Sequence, residues 1–305
     1  MPYSLLSRFQ GCLLGSVLGA SWGSQTTKPP IDWNRLTWQS IEPWLQPPGK
    51  PHPSSRLINL DLNSDHYQHP DRSSGLWAIS TLPLMLFFHD DALKQQQALI
   101  QAMQPWQPNS STQESLLALG YAIAQACKQQ LNPTTLLSEI SAYLELLVPP
   151  ALSPGANHST SWLATTQTLL AEATDLQTAV TAVQQWQPQT DIARAIALAF
   201  YCFLSTPEAW QIAVQRAGHT SDAPSLVTAF TGGLSGTYNS LIGIPGSWVT
   251  AYEQTWATAA QSTSAILDLR QQANRLLASW SGSYDVTTVA PLTVAVAAPQ
   301  VIRPR

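Results

Sequence analysis

The chain has 305 residues, of which 10% are charged and 44% are hydrophobic. A chain of this length is able to bury a substantial core, and we expect one large domain. The formal net charge of −4 leaves no basic excess to neutralise a phosphate backbone, which argues against nucleic acid as a partner. Residues 1–23 lack the basic flank, long apolar run and cleavage site of a secretory signal, so we expect a cytoplasmic protein.

The first predicted element is an apolar helix from Leu5 to Gly23. Four glycines recur at every fourth residue and therefore share one face of this helix: Gly11, Gly15, Gly19 and Gly23. Each glycine weakens a helix by about 1 kcal/mol relative to alanine, so close packing against a second helix must offset that loss. We interpret the glycine face as a packing surface.

Residues 24–74 interrupt the helical pattern. Proline pairs break any helix there, and the acidic residues are scattered rather than adjacent. Irregular segments of this length are uncommon inside a compact domain. We predict an irregular Pro/Trp-rich insertion over residues 24–74.

A succession of helices is predicted after residue 74. Their bounds are 75–88, 90–104, 111–130, 133–148, 159–173, 175–186, 191–204, 207–217, 223–241 and 249–280. Strand-type alternation is nowhere sustained, and the segment from Asp191 to Leu204 is apolar on nearly every side, which indicates a central helix. We therefore predict an all-α, single-domain helical bundle over residues 1–282, followed by a disordered tail over residues 283–305.

The apolar segment from Leu226 to Pro245 is almost long enough to cross a bilayer. Threonine, serine and asparagine side chains interrupt it, and no basic cluster flanks it. We predict a buried core helix here and no membrane partner.

The three cysteines lie far apart within apolar helical segments. This pattern fits neither a disulfide framework nor a zinc site. We expect buried, inert thiols at Cys12, Cys127 and Cys202.

Three segments carry motifs in a fixed order. They are RFQGCLLGSVLGASWG at residues 8–23, SGLWAISTLPLMLFFHDD at residues 74–91, and residues 193–248 with GHTSDAPSLVTAFTGG at their centre. Together they resemble the ADP-ribosylglycohydrolase family, with its opening glycine helix, its Pro-Leu segment and its late Gly-Gly-Asp-Thr-Asp-Thr motif. The resemblance implies an orthogonal all-α bundle, a hydrolase of ADP-ribosyl glycosidic bonds and a site for two magnesium ions.

The residues that such a metal site needs are largely replaced in this chain. The family's opening Gly-Asp-Ala-Leu-Gly has Ala20 at its aspartate, and His219 stands where the family has a glycine. The four positions of the late Asp-Thr-Asp-Thr read Thr220, Ser221, Asp222 and Ala223. Two neighbouring magnesium ions require several carboxylates to offset their mutual repulsion. A single acid remains, so we expect a vestigial site, with His219 filling space and Asp222 as the one candidate metal ligand.

Two acidic positions have a structural interpretation as well. His89-Asp90-Asp91 resembles the family's early Thr-Asp-Asp, but acids are favoured in a first helical turn by the helix dipole, and we interpret these residues as a solvated helix start. Asp222 precedes Pro224, where a capping side chain would satisfy unpaired amides. For Asp222 we favour capping over metal binding.

Aromatic faces near the expected cleft are candidate stacking surfaces for an adenine. Trp22 and Trp33 lie nearest to it in sequence.

Three hypotheses follow for the function. The first is a degenerate family member without hydrolase activity or a required cofactor, which keeps a binding site for an ADP-ribose-like ligand or a protein partner. The second is an active, magnesium-dependent hydrolase with a reduced site centred on Asp222. The third is a helical protein with a purely structural or interaction role.

Overall fold

The computed structural model describes residues 3–24, 70–147, 161–185, 190–220, 223–260 and 265–282. Within these ranges the regular elements are helices. They are α1 (Leu5–Ser24), α2 (Pro70–Ser80), α3 (Leu82–Phe87), α4 (Ala92–Met103), α5 (Ser110–Cys127), α6 (Leu136–Leu147), α7 (Ser161–Ala171), α8 (Leu176–Gln184), α9 (Asp191–Ser205), α10 (Trp210–Gly218), α11 (Pro224–Asn239), a 3-10 turn (Leu241–Gly243), α12 (Gly246–Ala260) and α13 (Ala265–Trp280).

Helices α1 and α11 form the centre of the structure and run antiparallel in backbone contact. A Cβ on Gly11 would overlap the Gly236 carbonyl oxygen, and a Cβ on Gly15 would overlap that of Gly232. One on Gly19 would lie 2.8 Å from the Thr228 carbonyl carbon. The predicted packing role of the glycine face is therefore confirmed, and α11 supplies the partner helix.

The C-terminal end of α11 is held by a buried arginine of α1. Nη1 of Arg8 donates to the carbonyl oxygens of Thr237 and Tyr238, each at 3.0 Å. These carbonyls lie in the last turn of a helix, where intrahelical partners are lacking. Arg8 is 6% exposed, so this cap also fixes the register of α1 against α11 inside the core.

Several of the other helices pack against this central pair. Helix α9 packs against α5, α7, α8, α10 and α11, and its aromatic side chains Phe200 and Phe203 are fully buried, as the apolar sequence predicted. Val227, Phe230 and Leu234 of α11 are also fully buried. In the described part of the chain no helix combines the length and the apolar character that a membrane crossing needs.

Several predicted helix boundaries were wrong. The segment predicted as one helix over residues 75–88 forms α2 and α3, because Pro83 has no N–H to donate and its ring crowds the preceding turn. Helix α2 begins at Pro70, inside the stretch predicted to be irregular. Helix α10 begins at Trp210 rather than at Pro207, whose carbonyl oxygen accepts a 2.8 Å hydrogen bond from Nδ2 of Asn239.

The last predicted helix, over residues 249–280, is also divided. Helix α12 begins earlier, at Gly246, and ends at Ala260, and α13 begins at Ala265. Residues 25–69 of the predicted insertion and the tail predicted from residue 283 lie outside the described residues.

The cysteines are buried and free, as predicted. Desolvation raises the pKa of Cys12 and of Cys202 to about 12. Burial likewise raises the pKa of Cys127. A thiol with such a pKa carries almost no thiolate near neutral pH, so all three act as small apolar side chains.

Candidate functional site

The end of α1, the end of α10 and the start of α11 meet at one place, which we call the junction (residues 19–23, 217–220 and 223–228). A Cβ on Gly23 would lie 2.6 Å from the carbonyl oxygen of Pro224. A Cβ on Gly218 would lie 2.8 Å from Nε1 of Trp22. The fold thus brings together the first and last predicted site segments, which are about 200 residues apart in sequence. Ser221, Asp222 and Trp33 lie outside the described residues.

Ala20 occupies an apolar position of α1. Its side chain is fully buried, and the neighbouring Gly19 is in contact with the backbone of Thr228 on α11. An ionised carboxylate in such surroundings would need a cation or several donors to compensate its desolvation. Alanine at this position therefore fits the packing and offers no ligand atom.

Thr220 serves the end of α10. Its Oγ1 donates to the carbonyl oxygen of Ala217 at 2.7 Å, and the residue is only 4% exposed. A helix end leaves carbonyl groups without intrahelical partners, and this hydroxyl satisfies one of them. The expectation that His219 fills the vacated space is wrong, because this side chain is exposed to solvent.

Ala223 is the residue directly before α11, and it has a left-handed backbone with φ 42° and ψ 53°. This conformation is unfavourable for any residue with a Cβ. Alanine has no polar side-chain atom, so Ala223 makes no capping hydrogen bond to the helix that follows. The capping position itself is therefore taken by Ala223, and the two interpretations of Asp222 stay predictions.

Trp22 is the exposed member of a stack of three tryptophans. Its side chain is 48% exposed, and its ring lies 4.7 Å from that of Trp248, with an angle of 39° between the ring planes. Trp248 in turn meets the buried Trp210 edge to face, with ring centres 5.1 Å apart. Sequence reasoning missed Trp248 and Trp210, since no local signal links them to Trp22.

The His89-Asp90-Asp91 segment lies far from the junction. Oδ1 of Asp91 accepts a 3.0 Å hydrogen bond from the amide of Lys94, which caps α4 and lowers the pKa of this carboxyl group, so its helix-start role is confirmed. Oδ1 of Asp90 accepts from Nε1 of Trp280 at 3.1 Å. These contacts engage both acids in the packing and capping of helices.

The prediction that His89 is solvated is wrong. Its side chain is 5% exposed, and its ring lies 5.6 Å from that of Phe9 and 4.9 Å from that of Trp280. Nδ1 lies 2.8 Å from the carbonyl oxygen of Leu86. Phe9 precedes Trp22 by thirteen residues on α1, which is about 20 Å along the helix axis. The acids beside His89 are therefore at the opposite end of α1 from the junction.

The donor set of the described junction does not fit a pair of magnesium ions. Magnesium prefers hard oxygen ligands in near-octahedral geometry. Four described positions replace the family motif: Ala20, His219, Thr220 and Ala223. Of these only Thr220 carries a side-chain oxygen, and a neutral hydroxyl supplies no negative charge to offset the repulsion between two cations. Across the described ranges of the chain, no three His, Cys, Asp or Glu side chains are grouped closely enough to hold one metal ion.

Comparison with known proteins defines the class. The sequence model of the ADP-ribosylglycohydrolase family matches residues 57–284, which is most of the chain. The protein therefore belongs to the ADP-ribosylglycohydrolase family, an all-α family of hydrolases of ADP-ribosyl bonds that are typically metal-dependent. No curated protein matches the chain. Helix α1 precedes the matched region, so its equivalence to the family's opening glycine helix stays a prediction.

Proposed function

We propose that this chain is a family member that has lost magnesium-dependent hydrolysis and acts by binding. It keeps the helical scaffold and the junction as a site for an ADP-ribose-like ligand or a protein partner. The replacement of ligand residues at the junction is what distinguishes it from a working hydrolase of this family.

The observation that carries the proposal is the state of Ala20 and Thr220. The methyl group of Ala20 has no exposed surface. The hydroxyl group of Thr220 is buried and donates a hydrogen bond to the carbonyl oxygen of Ala217, at the end of α10. Both positions carry carboxylates in the family motif that the sequence resembles. Their present side chains contribute to packing, so these positions have taken on a structural role in place of a chemical one.

Electrostatics explains why this change removes the activity. Two divalent cations at close range repel each other strongly, and the repulsion is offset only by several negatively charged ligands. Asp222 is the one carboxylate left in the late motif, and Ala223 adds no oxygen beside it. One carboxylate is insufficient to retain a pair of magnesium ions.

The first measurement is an isothermal calorimetric titration of the protein with magnesium chloride. The second is an assay for release of ADP-ribose from ADP-ribosylated peptides. We expect no binding in the micromolar range and no release at high protein concentration. The variants Asp222→Ala and Asp268→Ala should behave like the wild type. Asp268 is an exposed acid on α13 and serves as the matched control.

Magnesium-dependent release of ADP-ribose that Asp222→Ala abolishes and Asp268→Ala preserves would overturn the proposal. That result would establish the alternative, a hydrolase with a reduced metal site centred on Asp222.

A further inference from the structure

Trp22 is a large aromatic side chain held at the surface of the junction. It stands where the family's Gly-Asp-Ala-Leu-Gly motif has leucine, and 48% of its surface is exposed. Exposure of an indole costs hydrophobic free energy, because burial of a large apolar side chain is favourable by roughly 2 kcal/mol or more. The junction nevertheless holds this ring in a defined position.

One side of the Trp22 ring is supported from within the protein. Its ring packs against the half-buried ring of Trp248, which rests on the 1% exposed Trp210. Nε1 of Trp210 donates to the carbonyl oxygen of Gly232 on α11 at 3.0 Å. The stack thus connects the exposed ring to the tight contact between α1 and α11.

Gly218 gives the ring its place beside α10. A Cβ at this position would come within 2.9 Å of the Trp22 ring at Cδ1, which is closer than a real Cβ approaches. The glycine at the end of α10 and the tryptophan at the end of α1 are therefore fitted to each other. His219, the next residue, is exposed to solvent.

From this geometry we propose that Trp22 is a stacking surface for the planar base of an ADP-ribose-like ligand. The inference rests on the proposed function, and it names the part of the ligand that the junction contacts. The exposed indole is flat, apolar and uncharged. In a ligand made of a purine, two riboses and a diphosphate, only the purine is flat and uncharged, and base–aromatic stacking is favourable for every base.

Calorimetry with three probes tests the proposal in the absence of magnesium. ADP-ribose and adenosine are expected to bind the wild-type protein, whereas ribose 5-phosphate, which lacks the base, is expected to bind much more weakly. Trp22→Leu, which restores the family's residue, should weaken ADP-ribose binding about tenfold to one hundredfold. Trp22→Phe keeps an aromatic face and should stay within severalfold of the wild type.

Nuclear magnetic resonance supplies a readout at the residue itself. In a protein labelled with ¹⁵N, each of the 12 tryptophans gives one indole signal, and Trp22→Phe identifies the signal of Trp22 by its loss. Adenosine should shift the signals of Trp22 and Trp248. The signal of Trp106, which lies between α4 and α5, is the internal control and should not move.

Two results would overturn the proposal: equal affinity of the wild type and a folded Trp22→Leu variant for ADP-ribose, or no shift of the Trp22 signal at millimolar adenosine. Thermal unfolding verifies that each variant is folded. Neither result depends on hydrolysis. The proposed stacking site can therefore be contradicted while the proposed loss of hydrolase activity still holds, and the reverse is also true.

Discussion

Helix α1 contacts α11 through its glycines along its whole length, but the residues around that contact differ between the two ends. At Gly11 and Gly15 the two backbones touch, and no side chain fits between them. At the other end α1 presents the half-exposed Trp22, and α11 begins after a strained alanine. The comparison shows that one end of the contact is surrounded by buried side chains, whereas the other end, at the junction, holds an exposed aromatic ring.

The largest effect is expected from breaking the glycine contact between α1 and α11. Gly15→Ala would place a Cβ against the carbonyl group of Gly232, which is backbone, and 3.0 Å from Nε1 of the buried Trp210. We expect a loss of about 3 kcal/mol or more in the free energy of unfolding, measured by urea denaturation. Gly246→Ala is the matched control, because a Cβ there meets nothing within 4 Å. Equal stability of the two variants would show that the helices separate easily.

A smaller effect is expected from pH at the far side of the same helix. Burial lowers the pKa of His89, which packs against Phe9 of α1. The His89 imidazole therefore takes up a proton near pH 6.5 in the unfolded chain but only at a lower pH in the folded chain. The stability that comes from packing the neutral imidazole is complete above pH 6.5, and it is lost as the pH falls through the lowered pKa of the folded state.

The measurement is urea unfolding of the wild type and of His89→Leu between pH 8 and pH 5. The wild type should lose stability relative to the variant as the pH falls below 6.5. Parallel curves for the two proteins would contradict a buried neutral histidine at this position.

The smallest effect sharpens the comparison at the junction. Ala223 has φ 42°, a conformation that glycine adopts without steric cost. Relief of a left-handed backbone is worth about 1–2 kcal/mol, and the extra backbone entropy that glycine loses on folding costs about 0.5–1 kcal/mol. Ala223→Gly should therefore raise the free energy of unfolding by up to about 1 kcal/mol. The control Ala251→Gly, at an exposed position within α12, should lower it by about 1 kcal/mol. The same sign for both variants would argue against strain at Ala223.

Much of the fold was predictable because a helix produces a local pattern of residue types in the sequence. The four-residue spacing of the glycines predicted a close-packed face, and the apolar sequence of α9 predicted a central helix. Boundaries such as Pro83 and Pro207 were harder, because a proline suits both a first helical turn and the break before one. The start of α10 was predicted at Pro207 and lies at Trp210. The Pro207 carbonyl oxygen accepts a hydrogen bond from Asn239, which is distant in sequence, so no local pattern revealed this contact.

The candidate site was predictable only in part. The family resemblance identified Ala20, Thr220 and Ala223 as replaced positions, since a missing carboxylate or hydroxyl is visible in the residue type itself. Whether a side chain is buried depends on contacts between distant segments, so the burial of His89 and the exposure of His219 required the tertiary structure.

The sequence alone determined the helical class, the glycine packing face, the inert cysteines and the loss of acidic residues from the family motif, because each is a property of residue type and local spacing. The tertiary structure alone placed Trp248 and Trp210 behind Trp22, and it decided that the acids near His89 lie at the far end of α1. The reason is that contacts between residues separated by two hundred positions depend on how helices pack, and no local pattern encodes that arrangement.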